Sequence, residues 1–154
     1  AIDGAHQAII SDAYYEVKMG DVDQVLNVNG DLEMYTGSPH YLIQEEKVDS
    51  LDVQQRGKEI RYSEAYRKEG INVNFIEDIS ENEIKIRTYE RGVENETLAC
   101  GTGATAAALS FAYRKQLQKG EIMVAAKGGD LKVKFEVRGE GFKNIWQQAW
   151  TRGI

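Results

Sequence analysis

Leu98-Ala99-Cys100-Gly101-Thr102-Gly103-Ala104-Thr105-Ala106-Ala107-Ala108 is the stretch from which the rest of the chain is read. It carries the only cysteine of the 154 residues and opens an Ala-rich segment. Gly103 to Gln118 reads as a helix, with Gly120 as its stop and Arg114, Lys115 and Lys119 near its negative end. Its first turns, from Ala104 to Ala112, are apolar almost all round, so the helix is expected to lie buried among other elements. Cys-Gly-Thr-Gly at such a helix start sets a thiol beside unpaired backbone N–H groups, where its pKa falls and anions bind. A lone cysteine is also among the most buried residue types, and is then inert. Glycine on both sides of Thr102 fits poorly with simple core filling, but spacing alone leaves both readings open.

Outward from this stretch the chain is rich in strands. Glu83 to Glu90 leads into it, and the two-residue period puts Ile84, Ile86, Thr88 and Glu90 on one face. A Glu90 carboxylate on the core side is costly unless paired or functional, whereas at a strand end it is already solvated. The pattern allows either. Tyr15, Val17 and Met19 alternate with Glu16 and Lys18 as a strand within Ala8–Met19. Val22 to Asn29 reads as a second strand, with Asn29-Gly30 as a hairpin signal, and Leu32 to Tyr35 as extended. Gly37-Ser38-Pro39 predicts a tight turn that aims His40 ahead of the apolar run Tyr41-Leu42-Ile43. A lone histidine is more often structural than catalytic.

Val48 to Tyr62 has acidic residues first and basic ones later, which suits a helix capped by Asp49 or Ser50, although Gly57 weakens it. Ser63 to Gly70 reads as an exposed loop. Asn72-Val73-Asn74-Phe75 alternates amide and apolar residues. Ile122 to Ala126 reads as a strand, then Lys127-Gly128-Gly129-Asp130 as a hairpin turn. Leu131, Val133, Phe135 and Val137 alternate with charged residues before Phe142 to Trp150. The expected organisation is α+β: many antiparallel strands, one peripheral helix and one central buried helix.

The length suits a single domain over 1–154 with a real core. A net charge of −6 argues against nucleic acid or an anionic membrane as partner. One cysteine excludes an internal disulfide, and His6 and His40 match no metal-ligand spacing. No apolar run has transmembrane length and no signal-peptide pattern opens the chain, so a cytoplasmic location is expected. The start at Ala1 without Met, and the stop at Ile154 after an apolar stretch, read as those of a fragment.

Four blocks together resemble the second half of diaminopimelate epimerases: Gly37-Ser38-Pro39-His40, Asn72-Val73-Asn74-Phe75, Tyr89-Glu90-Arg91 through Cys100-Gly101-Thr102-Gly103, and Gly128-Gly129-Asp130-Leu131-Lys132-Val133. They lie in family order across nearly the whole chain. The resemblance implies a strand-rich, antiparallel, barrel-like sheet wrapped around a central helix, as one of two similar domains. It implies a pyridoxal-phosphate-independent isomerase with no cofactor and no metal. One cysteine from each domain faces the substrate α-carbon, one thiolate removing the proton and the other thiol replacing it on the opposite face. The reaction interconverts LL- and meso-diaminopimelate in lysine and cell-wall synthesis.

By this resemblance Cys100 is the second-domain thiol, Glu90 tunes it, and His40 serves the cysteine of the other domain. Asn72, Glu90 and Arg91 contact the distal amino-acid end of the substrate, while the Gly101 and Thr102 N–H groups hold the reacting carboxylate. Charge that builds on that carboxylate is stabilised by a helix N-terminus without rearrangement. Ser38 stands where relatives usually carry a substrate-binding Asn. The tail from Asn144 to Ile154 lacks the family's closing Gly-Pro-Ala and Gly-Glu pattern, and the first domain with its own cysteine is missing. The expected partners are therefore the small-molecule substrate and the missing N-terminal domain, with homodimerisation through an exposed apolar face as a further expectation. Alone, the chain is expected to be inactive. The alternative is a non-catalytic small-molecule-binding or interaction domain with the same fold; an isomerase for another substrate and a cysteine hydrolase fit the residues less well.

Overall fold

Ten consecutive buried residues, Gly103 to Ala112, form the middle of helix α2 (Gly101–Lys115) in the computed structural model of the chain, which describes residues 8–10, 14–98 and 101–150. An 11-stranded sheet curls around this helix. Its order is β1 (Ala8–Ile10), β2 (Tyr14–Met19), β11 (Gly141–Trp150), β10 (Gly129–Arg138), β9 (Lys119–Ala126), β7 (Glu83–Glu90), β6 (Asn72–Ser80), β5 (Pro39–Glu45), β4 (Asp31–Tyr35) and β3 (Leu26–Val28). The short β8 (Asn95–Thr97) pairs with β7 off this path. Helix α2 packs against β4, β5, β6, β7, β9, β10 and β11.

The expected central helix within a strand-rich α+β sheet is thus observed, with two corrections. The sheet is mixed, because β5 pairs β6 and β7 pairs β9 in parallel. Each of these pairs is joined by a connection that contains a helix, and parallel neighbours require such a crossover. The sheet is also open, since β1 and β3 end the path without pairing to each other.

Strand alternation divides the apolar residues between two cores. Toward α2 point Leu42, Ile76, Ile84, Ile86, Val124, Val133 and Ile145. On the opposite face Tyr41, Ile43, Val73, Phe75 and Tyr89 form a second cluster, covered by helix α1 (Val53–Arg61) and by Val48. The helix cap differs from the expectation: Val48–Ser50 is a separate 3₁₀ turn, and Asp52 caps α1 by accepting from the Gln55 N–H at 3.1 Å. Gly57 is required where it stands, because a Cβ there would lie 2.4 Å from both Cβ and Cγ of Tyr89.

Other local features follow from turn chemistry. Asn29 (φ 54°) and Gly30 (φ 93°) make the expected two-residue hairpin between β3 and β4. The strand expected over 22–29 is shorter, with only Leu26–Val28 extended and Val22 forming an isolated bridge to Phe142. Helix α2 ends earlier than expected. Gln116 adopts φ 58° and the Leu117 N–H donates to the Ala112 carbonyl at 2.9 Å, so Gly120 lies within β9 instead of capping the helix. The segment from Ser63 to Gly70 is a series of hydrogen-bonded turns, anchored by the Tyr66 hydroxyl, which donates to Glu33 at 2.5 Å. Among the described residues no helix is long and apolar enough to cross a membrane.

The contact at Gly57 sets a helix-propensity gain against a steric loss. Alanine in a helix interior gains about 1 kcal/mol over glycine, whereas forcing a methyl into a filled site costs about 1–3 kcal/mol. The steric loss should win here, since the clashing atoms belong to the base of the Tyr89 side chain. Gly57→Ala is expected to lower the urea midpoint of unfolding, and a raised midpoint would show that Tyr89 has room to move.

Candidate active site

The first turn of α2 opens at the end of the sheet where β5, β6 and β7 stop being apolar. Along the inner face of β5, His40 precedes Leu42; along β6, Asn72 and Asn74 precede Ile76; along β7, Thr88 follows Ile84 and Ile86. The pairing register sets His40 beside Asn72, and Asn74 beside Thr88. A polar patch therefore forms from three strands and faces the start of the helix.

His40 is completely buried at its centre. Its Nδ1 accepts from the Asn74 amide nitrogen at 2.8 Å, and the Thr88 hydroxyl donates to Asn74 Oδ1 at 2.9 Å. This arrangement leaves the ring proton on Nε2, which lies 3.1 Å from both Ser38 Oγ and Thr102 Oγ1. Those two hydroxyls are themselves 3.1 Å apart. Thr36 Oγ1 donates to the Thr102 carbonyl at 2.8 Å, a second tie between this loop and the helix. Burial pushes the His40 pKa down to about 3, and the positive charge of Arg91 acts in the same direction. The ring is therefore neutral at physiological pH.

Asn72 extends the cluster. Its amide nitrogen donates to the Pro39 carbonyl at 3.0 Å and approaches Ser38 Oγ at 3.4 Å, while its Oδ1 accepts from the Arg91 backbone N–H at 2.9 Å. The Arg91 guanidinium donates to the Glu69 carbonyl at 2.9 Å. Glu90 is half-buried at the end of β7 and accepts from Thr97 Oγ1 of β8 at 3.0 Å. Its carboxylate is thus paired, at the rim of the inner face.

Of the residues read from the sequence, Ser38, His40, Asn72 and Thr102 come into one hydrogen-bonded cluster, with Arg91 attached through its backbone. Gly101 starts α2 beside them. Glu90 is held separately by Thr97, and Cys100 lies outside the described residues. The sequence reading missed Thr36, Asn74 and Thr88. Asn74 and Thr88 had a visible signal, Asn74 in sharing the two-residue period with Asn72 and Thr88 in lying on one face with Ile84 and Ile86; Thr36 had none. Gly103 is explained by Asn74, whose Oδ1 would lie 2.9 Å from a Cβ at that position. Among the described residues no cluster of His, Cys, Asp or Glu is arranged to hold a metal ion.

A family model described as diaminopimelate epimerase matches residues 33–145, which include every element of this cluster. The chain belongs to the diaminopimelate epimerase family. The diaminopimelate epimerase of Flavobacterium psychrophilum is 39% identical over 147 residues, covering 95% of this chain and 57% of that protein. That of Aquifex aeolicus is 41% identical over 113 residues, covering 71% of this chain and 40% of that protein. The chain thus spans about half the length of the curated relatives it matches. A hydroxyproline epimerase from Agrobacterium vitis superposes with a TM-score of 0.65 at 12% identity, over 96% of this chain and 57% of that one. At that identity the likeness concerns the fold alone.

The depressed His40 pKa fixes the sign of one pH effect. An exposed imidazole titrates near ~6.5, so the unfolded chain takes up a proton that the folded chain refuses. The stability linked to His40 is fully present above that value and is lost as pH falls toward about 3, by up to ~1.4 kcal/mol per pH unit. In an NMR titration the His40 ring signals are expected to stay those of a neutral Nε2–H imidazole from pH 7.5 to 5. A midpoint near 6.5 would show instead that the Asn74 hydrogen bond to Nδ1 is not maintained.

Proposed function

We propose that the chain is one half, the second, of a cofactor-independent epimerase that interconverts LL- and meso-diaminopimelate. The observation that supports this most is the neutral, hydrogen-bonded His40–Ser38–Thr102 cluster at the N-terminus of α2, in a chain of this family. The first N–H groups of α2 form the positive end of its dipole, where a carboxylate binds.

With the α-carboxylate on the Gly101 and Thr102 N–H groups, Cys100 is the adjacent residue in sequence and supplies one of two thiols. A thiolate takes the α-proton, leaving charge delocalised onto the carboxylate oxygens, where the helix N-terminus stabilises it. A second cysteine, from the other half of the protein, returns a proton to the opposite face, so proton count is conserved and configuration inverts. Glu90 assists Cys100, and His40 serves the other half's cysteine as a neutral, hydrogen-bonded ring. Asn72, Glu90 and Arg91 hold the distal amino-acid end. Ser38 takes the place of an amide that relatives use on the substrate, and its hydroxyl is directed into the cluster. A cytoplasmic location and association with a first domain, or with a second copy, complete the reading.

The test is α-deuterium incorporation from D2O into LL-diaminopimelate. The chain alone is expected to give none at an enzymatic rate, whereas a protein joining it to a first-domain half exchanges and epimerises. In that longer protein Cys100→Ser is expected to slow the reaction about a thousandfold, within the range of a lost acid/base group. Turnover by the chain alone, or an unaffected serine variant, would sink the two-thiol reading.

A further inference from the structure

Glu94 stands in a backbone conformation that glycine favours. It closes the turn over residues 91–94 between β7 and β8, and its φ is 55°. A residue with a side chain persists there only when its surroundings hold it. Here the Glu94 carboxylate supplies the hold. Its Oε2 accepts from the Gly92 backbone N–H at 3.0 Å and from Arg61 Nε at 2.9 Å, while Oε1 accepts from the Tyr89 hydroxyl at 3.2 Å. The Glu94 N–H donates to the Glu90 carbonyl at 2.8 Å. The loop that carries Arg91 is thus fixed from within.

Helix α1 braces the same loop from outside. Gln54, Gly57 and Arg61 share one face of α1. Gln54 Nε2 donates to the Glu94 carbonyl at 3.2 Å, and Gly57 leaves room for Tyr89. Arg61 spans two loops with one guanidinium. Its Nε is committed to Glu94, and its Nη1 donates to the Arg67 and Tyr66 carbonyls at 3.3 and 3.4 Å. The Glu69 carbonyl of the same turns accepts from Arg91 Nη1 at 2.9 Å. Gly70 (φ 82°) permits this approach, because a Cβ there would stand 3.0 Å from Arg61 Cζ and 3.2 Å from Arg91 Cδ. With side chains 14% and 27% exposed, Arg61 and Glu94 are shielded from the screening that weakens surface ion pairs.

Both constraints meet in Arg91. Its backbone N–H donates to Asn72 within the loop that Glu94 fixes, and its guanidinium is held by the turns that Arg61 fixes. A guanidinium carries five N–H donors, and the contact with Glu69 sets how the rest of the fork is presented. We propose that Arg61 and Glu94 are a pair of positioning residues, which hold Arg91 in the orientation that receives the carboxylate at the distal end of the substrate. This rests on the reading that Arg91 binds that end. A fork-to-carboxylate contact depends on angle as well as distance, so a loosened loop weakens it although every group that touches substrate is still present.

The test is a double-mutant cycle on KM and kcat for diaminopimelate, in the protein that joins this chain to a first-domain half. Glu94→Gln keeps the shape of the pair and removes its charge. It is expected to raise KM about tenfold, with kcat within about twofold of wild type, the pattern of lost uniform binding. Arg61→Lys, a point charge that cannot span both loops, should do the same. Arg91→Lys should raise KM at least as much, and adding Glu94→Gln to it should change KM by less than about twofold, because Glu94 acts through Arg91. General damage to the fold would instead lower the active fraction, and with it kcat, at unchanged KM. In the labelled chain, 15N relaxation of the Arg91 Nε–H reads the positioning without substrate: rigid in wild type, mobile in Glu94→Gln and Arg61→Lys. An unchanged KM in those two variants, effects that multiply in the double variant, or an Arg91 side chain as rigid as in wild type would overturn this inference and leave the proposed function standing. An unchanged KM in Arg91→Lys, or no epimerisation by the joined protein, would overturn the reading beneath it as well.

Discussion

Enclosure of α2 by the sheet is the constraint on which everything else depends. A helix buried from Gly103 to Ala112 on all sides must be made of small side chains, and five of those ten positions are alanine. Its backbone hydrogen bonds are satisfied internally except at the ends, where the first N–H groups and last carbonyls have no helical partner. At the C-terminal end the left-handed Gln116 and the Leu117 N–H close the ladder. At the N-terminal end the backbone donors face the polar patch. The helix dipole therefore emerges from the core at one place, and that place is where the sheet turns from apolar to polar.

Burying a polar patch is tolerable because its members satisfy one another. Thr88 donates to Asn74, Asn74 to His40, and His40 meets the Ser38 and Thr102 hydroxyls. All these groups are neutral, so the cluster escapes the desolvation cost that an ion pair at the same depth would carry. The same burial that lowers the His40 pKa keeps the ring in one tautomer, set by the amide at Nδ1. A fixed tautomer presents a defined N–H at Nε2, and hydroxyls on either side can turn to donate or accept. Packing of the strands thus specifies the protonation chemistry of the site.

Much of this was legible in the sequence, and the failures share a cause. The alternation in β7 and β10, the Asn29-Gly30 hairpin and the buried helix are local patterns, and local patterns survive folding. The α1 cap was misread because Asp49, Ser50 and Asp52 are all competent caps and only the geometry selects Asp52. Gly57 looked like a flaw in a helix, when its reason is Tyr89 on a strand 32 residues away. Mixed sheet direction was overlooked although each parallel pair is separated in sequence by a helix. Alternation within their own strands placed Asn74 and Thr88 on a face, but their partners, His40 for Asn74 and Asn74 for Thr88, came only through register, which no single segment carries. The candidate site was legible where chemistry is concentrated in motifs, and illegible where a strand residue acts by facing a distant one.

The Gly-Thr-Gly segment shows why the motif has this composition. Gly101 leaves space for the Gln147 amide and Gly103 for Asn74, so two buried side chains approach the helix backbone from different strands of the one curled sheet. Thr102, between them, is the residue whose side chain is retained, and it ties the helix to β5 through His40 and Ser38 while its carbonyl accepts from Thr36. Side chains at the glycine positions would push the amides away and separate the helix from its sheet. Loss of the threonine hydroxyl would leave the His40 N–H with Ser38 alone. The motif works as a fixed spacing of absences around one anchor, and the absences place polar strand residues within reach of the backbone donors.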